Sequence, residues 1–271
     1  MARESKRWLV LPGHEIHLDA VDPRSTDGAP GGKKQTIASF EELNLRLADL
    51  QARLWAESDR SLLVVLQAMD AGGKDGVIKH VFGGVNPQGT KVTGFKVPTE
   101  EEQGHDFLWR VHKAVPGRGE IGIFNRSHYE DVLVVRVHEL VPETVWRKRY
   151  EHINHFESNL VDRGTAVVKL YLHISKAEQA ERFGERLEDP SKRWKFRAGD
   201  LDDRAKWAEF MAAYEEAVNR TTTEAAPWYV IPADRNWYRD WAVTHVLIDA
   251  LEAMDPKFPE PEEDLSGIVI E

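Results

Sequence analysis

A continuous run of apolar residues at positions 62–66, with polar residues on both sides, is the clearest element along the chain. Such a run is typical of a strand that is buried on both faces of a parallel sheet. Further stretches that favour a strand lie at residues 91–97, 121–124, 166–174 and 228–231. Stretches with helical periodicity separate them. The pattern therefore predicts an α/β fold in which a central parallel sheet lies between layers of helices.

Helix starts are marked by a recurring Ser/Thr-x-x-Glu pattern, which is the signature of a capping box. The pairs are Ser39–Glu42, Thr99–Glu102, Ser127–Glu130 and Ser175–Glu178. The first pair precedes leucines at helical spacing and predicts a helix over residues 40–57. Pro142 at a first helical position predicts another helix, to about residue 162, and Asp200 is expected to cap one that reaches about residue 220.

Residues 127–138, SHYEDVLVVRVH, fit two predictions. The valines favour a strand. The capping pattern favours a helix, as does the crossover that a parallel sheet needs after the preceding strand. We expect the helix, which would place Glu130 and Asp131 in its first turn, close to the loop after the first strand. Acidic residues are also ordinary partners of a helix dipole, so this placement alone assigns them no role.

Proline and glycine recur in residues 1–38, which we interpret as an ordered arm across the surface. Residues 39–254 are predicted to form one domain, and the Pro-rich, acidic residues 255–271 a loose tail. Residues 182–197 carry six basic against three acidic side chains, in a chain whose formal net charge is −10. Two helices joined by a basic connector resemble the closing lid of a small phosphotransferase, here at about residues 175–220. A solvated basic loop is the alternative.

A glycine-bearing turn and Lys74 follow the first strand, and apolar residues at helical spacing come next. This is the layout of a phosphate-binding loop, in which helix N–H groups and the lysine hold phosphoryl oxygens. The match is incomplete, because Ala68 and Asp75 stand where the pattern has Gly and Ser or Thr. A carboxylate beside phosphates is repelled unless a cation lies between them, so Asp70 in this loop implies a metal bridge or contact with another group. The alternative is a simple turn with Lys74 extended into solvent.

Polar residues also follow the strand at 121–124, beginning with Asn125, Arg126 and Ser127. The carboxyl ends of parallel strands form the crevice in which open α/β sheets bind ligands. We therefore expect these side chains to lie at the ligand-binding edge of the sheet.

Composition excludes several classes of protein. The chain has 271 residues and is 41% hydrophobic, which allows a sizeable core and excludes wholesale disorder. A net charge of −10 argues against a general nucleic-acid binder, because such a protein should be basic. No apolar run is long enough to span a membrane, and the absence of cysteine suits a reducing cytoplasm. The eleven histidines show no metal-ligand spacing.

Several separated motifs, in order along residues 35–254, resemble family-2 polyphosphate kinases. They are AMDAGGKDG at 68–76, GGVNPQG at 83–89, HDFLWR at 105–110, IGIFNRSHYEDVLVVRVH at 121–138, DP at 189–190 with WKF at 194–196, and PWYVIPAD at 227–234. The first motif combined with FNRSHYED is similar to the subgroup that phosphorylates both AMP and ADP. Asn125 stands where many members carry Asp, which weakens a metal role at that position.

The resemblance implies a thymidylate-kinase-like P-loop fold of three α/β/α layers with a helical lid. It further implies polyphosphate as phosphoryl donor, Mg²⁺ or Mn²⁺ as cofactor, and a homo-oligomer, either a dimer or a tetramer. By this resemblance the catalytic residues are Asp70, Lys74, Arg126 and Arg186. The implied nucleotide or phosphate ligands are Ala71, Gly72, Gly73, Lys74, Asp75, Gly76, Asn125, Arg182 and Lys195. The implied metal ligands are Asp70, Glu130 and Asp131.

The resulting hypothesis is a reversible, metal-dependent transfer of a phosphoryl group from polyphosphate to AMP or ADP, with guanine nucleotides as further possible acceptors. One alternative is an ATP-dependent kinase of the same fold that acts on a nucleotide or another small molecule. Another is a non-catalytic nucleotide-sensing module. The basic lid argues against the sensor, because a sensor needs no transition-state arginine. Neither nucleic acid nor a membrane is expected as a partner.

Overall fold

The computed structural model describes residues 4–264 and residue 270 and shows a five-stranded parallel sheet. The strands are β1 (Ser61–Gln67), β2 (Thr90–Gly94), β3 (Ile121–Asn125), β4 (Thr165–His173) and β5 (Trp228–Pro232). Their spatial order is β2-β3-β1-β4-β5, so β1 lies at the centre. Every residue of β1 is buried, as its unbroken apolar run predicts. The predicted α/β fold with a central parallel sheet is confirmed.

Helices cover both faces of this sheet. They are α1 (Lys33–Glu57), α2 (Lys74–Val81), α3 (Glu100–Gln103), α4 (Trp109–His112), α5 (Val134–Val137), α6 (Glu143–Asp162), α7 (Lys176–Glu188), α8 (Gly199–Ala205), α9 (Trp207–Thr221) and α10 (Asn236–Met254). Helices α1 and α2 pack against α10, while α5 and α6 pack against α9. Two separate helix layers therefore enclose the sheet, as in other α/β folds with a parallel sheet.

The pairing of β1 with β3 brings two loops to one edge of the sheet. In the parallel register Leu66 lies opposite Asn125, the last residue of β3. The loop after β1 and the segment after β3 therefore leave the sheet side by side. This is the crevice position at which parallel sheets bind ligands.

The N-terminal residues run along the outer edge of β5. The backbone N–H of Val10 donates to Trp228 at 2.9 Å, and that of Val230 donates to Trp8 at 2.8 Å, around an antiparallel bridge between Leu9 and Tyr229. Trp8 and Val10 are buried there. The arm is thus fixed to the sheet by backbone hydrogen bonds, and the unpaired edge of β5 is covered.

Helix α1 begins earlier than its leucine pattern predicts. It starts at Lys33 with Gly32 at the N-cap, and the hydroxyl of Thr36 donates to the carbonyl of Gly32 at 3.2 Å. Ser39 therefore lies inside the helix, and its predicted capping box with Glu42 is wrong. The predicted domain boundary between residues 38 and 39 also falls within this helix.

The other predicted helix starts have mixed outcomes. The capping box of Thr99 and Glu102 is present, but its helix α3 ends at Gln103, and a separate helix α4 follows. The Ser175 hydroxyl accepts from the Glu178 N–H at 3.0 Å, so it caps α7 as predicted. The helix that Asp200 was expected to cap begins at Gly199 and is interrupted at Lys206, between α8 and α9.

Residues 127–138 are helical, as expected, but in two short pieces. A 3₁₀ turn covers His128–Asp131, and α5 follows. The Ser127 hydroxyl accepts from the N–H of Tyr129, not of Glu130, so the predicted capping box does not form. Glu130 instead binds an arginine, as described below. Among the residues that the structure describes, no helix has the length and apolar character needed to cross a membrane.

Candidate active site at the carboxyl edge of the sheet

The loop between β1 and α2 has the tight geometry of a phosphate-binding turn. The N–H of Gly72 donates to the Met69 carbonyl at 2.9 Å, and Ala71 and Gly73 have left-handed backbones with φ of 60° and 99°. A Cβ on Gly73 would overlap Nη1 of Arg239, so only glycine fits there. The N-terminal amides of α2 begin directly after this turn. They carry the unpaired N–H groups and partial positive charge that suit an anion.

Lys74 does not extend into solvent, so that alternative is wrong. Its side chain is buried, and Nζ donates to the Ala68 carbonyl at 2.8 Å, across the loop. Burial, together with the nearby charge of Arg126, lowers the pKa of the Lys74 ammonium to about 8. Asp70 and Glu130 partly oppose this shift. A buried ammonium beside a helix start is well placed to neutralise an incoming phosphate.

Arg126 joins two acidic residues at the centre of the site. Its Nη2 donates to Asp70 Oδ1 at 2.6 Å, and its Nη1 donates to Glu130 Oε2 at 3.1 Å. The carboxylate of Glu130, followed by that of Asp70, raises the pKa of the guanidinium against the effect of burial. Arg126 also has a left-handed backbone, with φ of 62°. Such a backbone in a non-glycine residue costs about 1–3 kcal/mol and is found most often at functional sites.

Asp131 faces a different arginine. Arg149 on α6 donates to its carboxylate at 2.9 Å and to its backbone carbonyl at 3.0 Å. Burial raises the pKa of Asp131, and Arg149 partly offsets that effect. Within residues 4–264 and residue 270, no group of three or more acidic or histidine side chains is arranged to hold a metal ion. The three predicted metal ligands are therefore not assembled as one cluster, and Asp70 and Glu130 are the two that share a neighbour.

Asp75 connects the loop helix to β3 and to the lid. Its two carboxylate oxygens accept from Asn125 Nδ2 and from Lys195 Nζ, each at 2.9 Å. Partial burial raises the pKa of Asp75, but the hydrogen bonds from Lys195 and Asn125 outweigh it and lower the pKa overall. Asn125 thus binds a side chain as an amide donor, a role that an ionised aspartate at this position could not fill.

Two further predicted arginines lie on α7. The guanidinium of Arg182 donates to backbone carbonyls of Ala71 at 2.9 Å and of Ala233 at 2.6 Å, so it supports the loop from the side. Nη1 of Arg186 lies 3.9 Å from Oδ2 of Asp200 on α8. Burial and the charge of Asp70 raise the pKa of Asp200. The lid acid and its arginine therefore lie within electrostatic range of the loop.

Two residues that support the loop were missed in the sequence. Arg239 on α10 is buried, and both its Nε and its Nη2 donate to Asp240 Oδ1, at 2.9 and 2.6 Å. It packs beneath Gly73, as the glycine geometry shows. Gln179 on α7 donates to the Asp70 carbonyl at 2.9 Å. The sequence signal for Arg239 was an adjacent Arg-Asp pair within a helix that is otherwise largely apolar, and nothing in the sequence marked Gln179.

Three features define the class of the protein: a glycine loop at the end of the central strand, a buried lysine, and an arginine that joins two carboxylates. It is a P-loop phosphotransferase with a helical lid. The family model described as "Polyphosphate kinase 2 (PPK2)" matches residues 32–259, and the chain belongs to this family.

Individual relatives agree with this assignment over almost the full chain. An AMP/ADP-polyphosphate phosphotransferase from Meiothermus ruber is 55% identical, covering 98% of this chain and 100% of the relative. An ADP-polyphosphate phosphotransferase from Rhodopseudomonas palustris is 46% identical, covering 96% and 94%. Among solved structures, polyphosphate kinase 2 from Arthrobacter aurescens TC1 superposes with a TM-score of 0.93 at 45% identity, covering 97% of this chain and 93% of that one.

Proposed function

We propose that this protein transfers a terminal phosphoryl group from inorganic polyphosphate to AMP and to ADP. The observation that carries the proposal is the grouping of Asp70, Arg126 and Glu130 beside the buried Lys74, on a phosphate-type loop. The names of the relatives from Meiothermus ruber and Rhodopseudomonas palustris support polyphosphate as donor and adenine nucleotides as acceptors.

The chemistry asks for charge control more than for proton transfer. A nucleotide phosphate has its second pKa near 6, so the attacking oxygen is already an anion near neutral pH. A general base is then unnecessary, and the difficulty is the repulsion between two anions. Lys74 and Arg126 would hold phosphoryl oxygens in line, and Arg186 would add positive charge from the lid. In this role Asp70 acts as a ligand and does not accept a proton.

The residues present fit a divalent cation. Mg²⁺ prefers oxygen ligands and is usually held by one or two carboxylates together with substrate phosphates. Asp70 and Glu130 supply two partly buried carboxylates, with side chains 18% and 15% exposed, on either side of Arg126. They would hold Mg²⁺ or Mn²⁺ through Asp70 Oδ2 and Glu130 Oε1, because Arg126 binds the other oxygen of each carboxylate. Asp131 faces Arg149 instead and does not share this neighbour. The cation, when bound, offsets negative charge on the phosphoryl oxygens.

The first test is a rate measurement on two variants. Asp70→Asn and Lys74→Ala should each lower ATP formation from ADP and polyphosphate by about a hundredfold or more, the usual cost of losing one such group. The matched controls are Asp59→Asn, on an exposed loop, and Lys79→Ala, on the exposed side of α2, and both should keep wild-type rates. Near-wild-type turnover in either site variant would overturn the assignment.

A second test separates the proposal from an ATP-dependent kinase and from a nucleotide sensor. The purified enzyme receives labelled AMP, ADP, GMP or GDP with either polyphosphate or ATP as the only donor, and with Mg²⁺, Mn²⁺ or excess chelator. The proposal predicts consumption of polyphosphate and loss of transfer in chelator. Consumption of ATP alone would favour the ATP-dependent kinase. Nucleotide binding without transfer from either donor would favour the sensor.

The proposal also includes three properties expected from the sequence or from its family resemblance. They are a cytoplasmic location, a homo-oligomer of two or four copies, and a single phosphotransferase domain with its lid at about residues 175–220. Light scattering coupled to size-exclusion chromatography measures the number of copies directly. A monomeric mass across the working concentration range would contradict the oligomer.

A further inference from the structure

A fully buried polar cluster lies beneath the arginine that joins Asp70 and Glu130. Its members come from the segment after β3, from α6, from β4 and from α9, and each is at most 1% exposed. They are His128, Tyr129, Glu157, Lys169 and Thr221. We call this set the buried clamp. Two of them, Lys169 and Glu157, form an ion pair in the core. The phosphoryl transfer proposed above uses none of these residues.

The hydrogen bonds of the clamp converge on the Glu157 carboxylate. Lys169 Nζ donates to its Oε2 at 2.6 Å, and the Tyr129 hydroxyl donates to its Oε1 at 2.8 Å. His128 Nε2 lies 3.2 Å from the same Oε1. Lys169 Nζ also donates to the Thr221 carbonyl at 2.6 Å and lies 3.1 Å from the Tyr129 hydroxyl. Helices α6 and α9 are thereby joined through β4 to the 3₁₀ turn after β3.

The clamp is attached directly to Arg126 through the chain. His128 and Tyr129 follow Arg126 after a single residue, Ser127. The Ser127 hydroxyl accepts from Gln67 Nε2 at the end of β1 and from the Tyr129 N–H, both at 3.1 Å. On the other side, the Arg126 N–H donates to the Leu66 carbonyl at 3.2 Å. The left-handed Arg126 is therefore held from both sides, and such a backbone persists only where its surroundings fix it.

The stability of the fold does not explain why Glu157 and Lys169 carry charges in the core. A buried ion pair can often be replaced by apolar side chains with no loss of stability, because desolvation of the charges costs as much as their attraction returns. A charged, hydrogen-bonded network does, however, restrict the arrangements of its neighbours. In the clamp both charged groups have hydrogen-bond partners, and His128 leaves its Nδ1 without one. Glu157 accepts hydrogen bonds from His128 and Tyr129, which are consecutive residues of the 3₁₀ turn. It therefore restrains the turn that begins two residues after Arg126.

We propose that the buried clamp positions Arg126 for phosphoryl transfer, with Tyr129, Glu157 and Lys169 as positioning residues. The inference rests on the proposed function, because it concerns the arginine of that same site. It predicts that weakening the clamp lowers kcat through Arg126, while the binding of polyphosphate and nucleotide changes little.

The primary variant is Tyr129→Phe, which removes one hydroxyl and keeps the ring in place. We expect kcat to fall about tenfold, with KM for ADP and polyphosphate within about twofold, since about 1.4 kcal/mol corresponds to a factor of ten. The matched control is Tyr150→Phe on α6, also buried, whose hydroxyl meets Arg136 at 3.4 Å, away from the clamp. Unchanged kcat in Tyr129→Phe, or an equal fall in the control, would overturn the inference.

A double-mutant cycle separates positioning from a general loss of structure. If Tyr129 acts through Arg126, then Tyr129→Phe should have no further effect on kcat in an Arg126→Lys background. A purely structural role would give the same factor in both backgrounds. Melting temperatures of all four proteins show whether the assay temperature lies below unfolding.

A double variant guards against misfolding from a single unpaired charge. The combined change Glu157→Leu with Lys169→Met removes both charges and keeps similar volumes. It should fold with a near-wild-type melting temperature and still lose kcat about tenfold or more. Retention of wild-type kcat in this variant would contradict the inference. If wild-type enzyme shows no transfer from polyphosphate, the proposed function fails instead, and the two failures are thus distinguished.

Discussion

Arg126 and Asp70 are joined by a 2.6 Å hydrogen bond between Nη2 and Oδ1, across the gap between the loops that follow β3 and β1. The bond gives the arginine an anionic partner where the phosphate charge is proposed to arrive. It also keeps a partly exposed guanidinium in one orientation, because Glu130 binds the other nitrogen at 3.1 Å. A planar fork of this kind cannot be reproduced by a lysine.

Replacement of Arg126 should separate the effect of charge from that of geometry. Arg126→Ala removes both and should lower kcat by about a hundredfold or more, whereas Arg126→Lys retains the charge and should lose less. Arg126→Ala should also lower the melting temperature, because it leaves the carboxylates of Asp70 and Glu130 unpaired near each other. Initial rates and thermal denaturation measure both effects. Arg118→Ala, whose side chain is 75% exposed, is the control and should change neither.

Gly73 is a loop position that cannot accept a side chain without strain. Gly73→Ala places a Cβ in steric overlap with Arg239 Nη1 and imposes a left-handed backbone, with φ of 99°, on a non-glycine residue. The backbone alone costs about 1–2 kcal/mol. We expect a lower melting temperature and a loss of activity of about tenfold or more, measured by thermal denaturation and by initial rates.

Gly84→Ala provides the comparison for this substitution. A Cβ at Gly84 meets no described atom within 4 Å, and its backbone is not left-handed. Its activity and melting temperature should match the wild type. If Gly73→Ala behaved in the same way, the close packing of Arg239 beneath the loop would be wrong.

The lowered pKa of Lys74 predicts a basic limb in the activity profile. The pKa is about 8 in the folded protein against an ordinary value of 10.5, so the free enzyme loses this charge as pH rises through about 8. We expect kcat/KM for polyphosphate to fall above that pH. Bound phosphate favours the charged lysine, so the limb in kcat should lie at higher pH.

The same shift has a consequence for stability. Between pH 8 and 10.5 the unfolded chain carries the Lys74 proton and the folded protein does not, so this group adds stability as pH rises through that window.

The dependence of kcat/KM on pH can be measured from about pH 6.5 to 9.5. Lys74→Arg should abolish the basic limb in whatever activity remains, because arginine stays charged. If kcat/KM of the wild type stayed constant across this pH range, the assignment of Lys74 as a charged phosphate ligand with a pKa of about 8 would be wrong.

The contact between Lys195 and Asp75 predicts a measurable role for one lid lysine. Lys195→Met removes the 2.9 Å ion pair that joins the lid to α2, together with one positive charge above the loop. The pair is partly exposed, so we expect KM for polyphosphate to rise only modestly, up to about fivefold, with a smaller effect in high salt.

Lys192 offers a close control for this change. It lies on the same turn, but its ammonium pairs locally with Asp189 at 3.1 Å. Lys192→Met should leave KM for polyphosphate near the wild-type value. Equal increases in KM for both variants would show a general effect of lid charge instead of a specific contact.

Local sequence patterns correctly predicted the structural elements that depend on interactions between neighbouring residues. The buried run of β1, the glycine turn with Lys74 and the capping box of Thr99 each depend on residues within a few positions of one another. The start of α1 was missed because a glycine N-cap leaves no side-chain signal, whereas Ser39 and Glu42 have the right spacing by chance. Spacing alone does not decide whether a hydroxyl finds its amide.

The pairings of the site depend on contacts that no local pattern contains. Asp131 looked equivalent to Glu130 in the sequence, but Arg149 on α6, eighteen positions away, binds it. Arg239 supports a glycine loop more than 150 residues before it. The pairing of acidic with basic side chains is determined only when the sheet brings distant elements together. Motifs could therefore indicate which residues belong to the site, but they could not predict the partner of each residue.

The hydrogen bonds between residues 8–10 and β5 have a consequence for self-association. A strand with free N–H and C=O groups at the margin of a sheet can pair with the same strand of another copy. Here the chain's own beginning satisfies that margin, so a dimer cannot extend the sheet there without first displacing Trp8 from its buried position. Any pairing of copies through an open strand would therefore use β2, the other outer strand, and loss of residues 8–10 would expose the edge of β5 to such pairing.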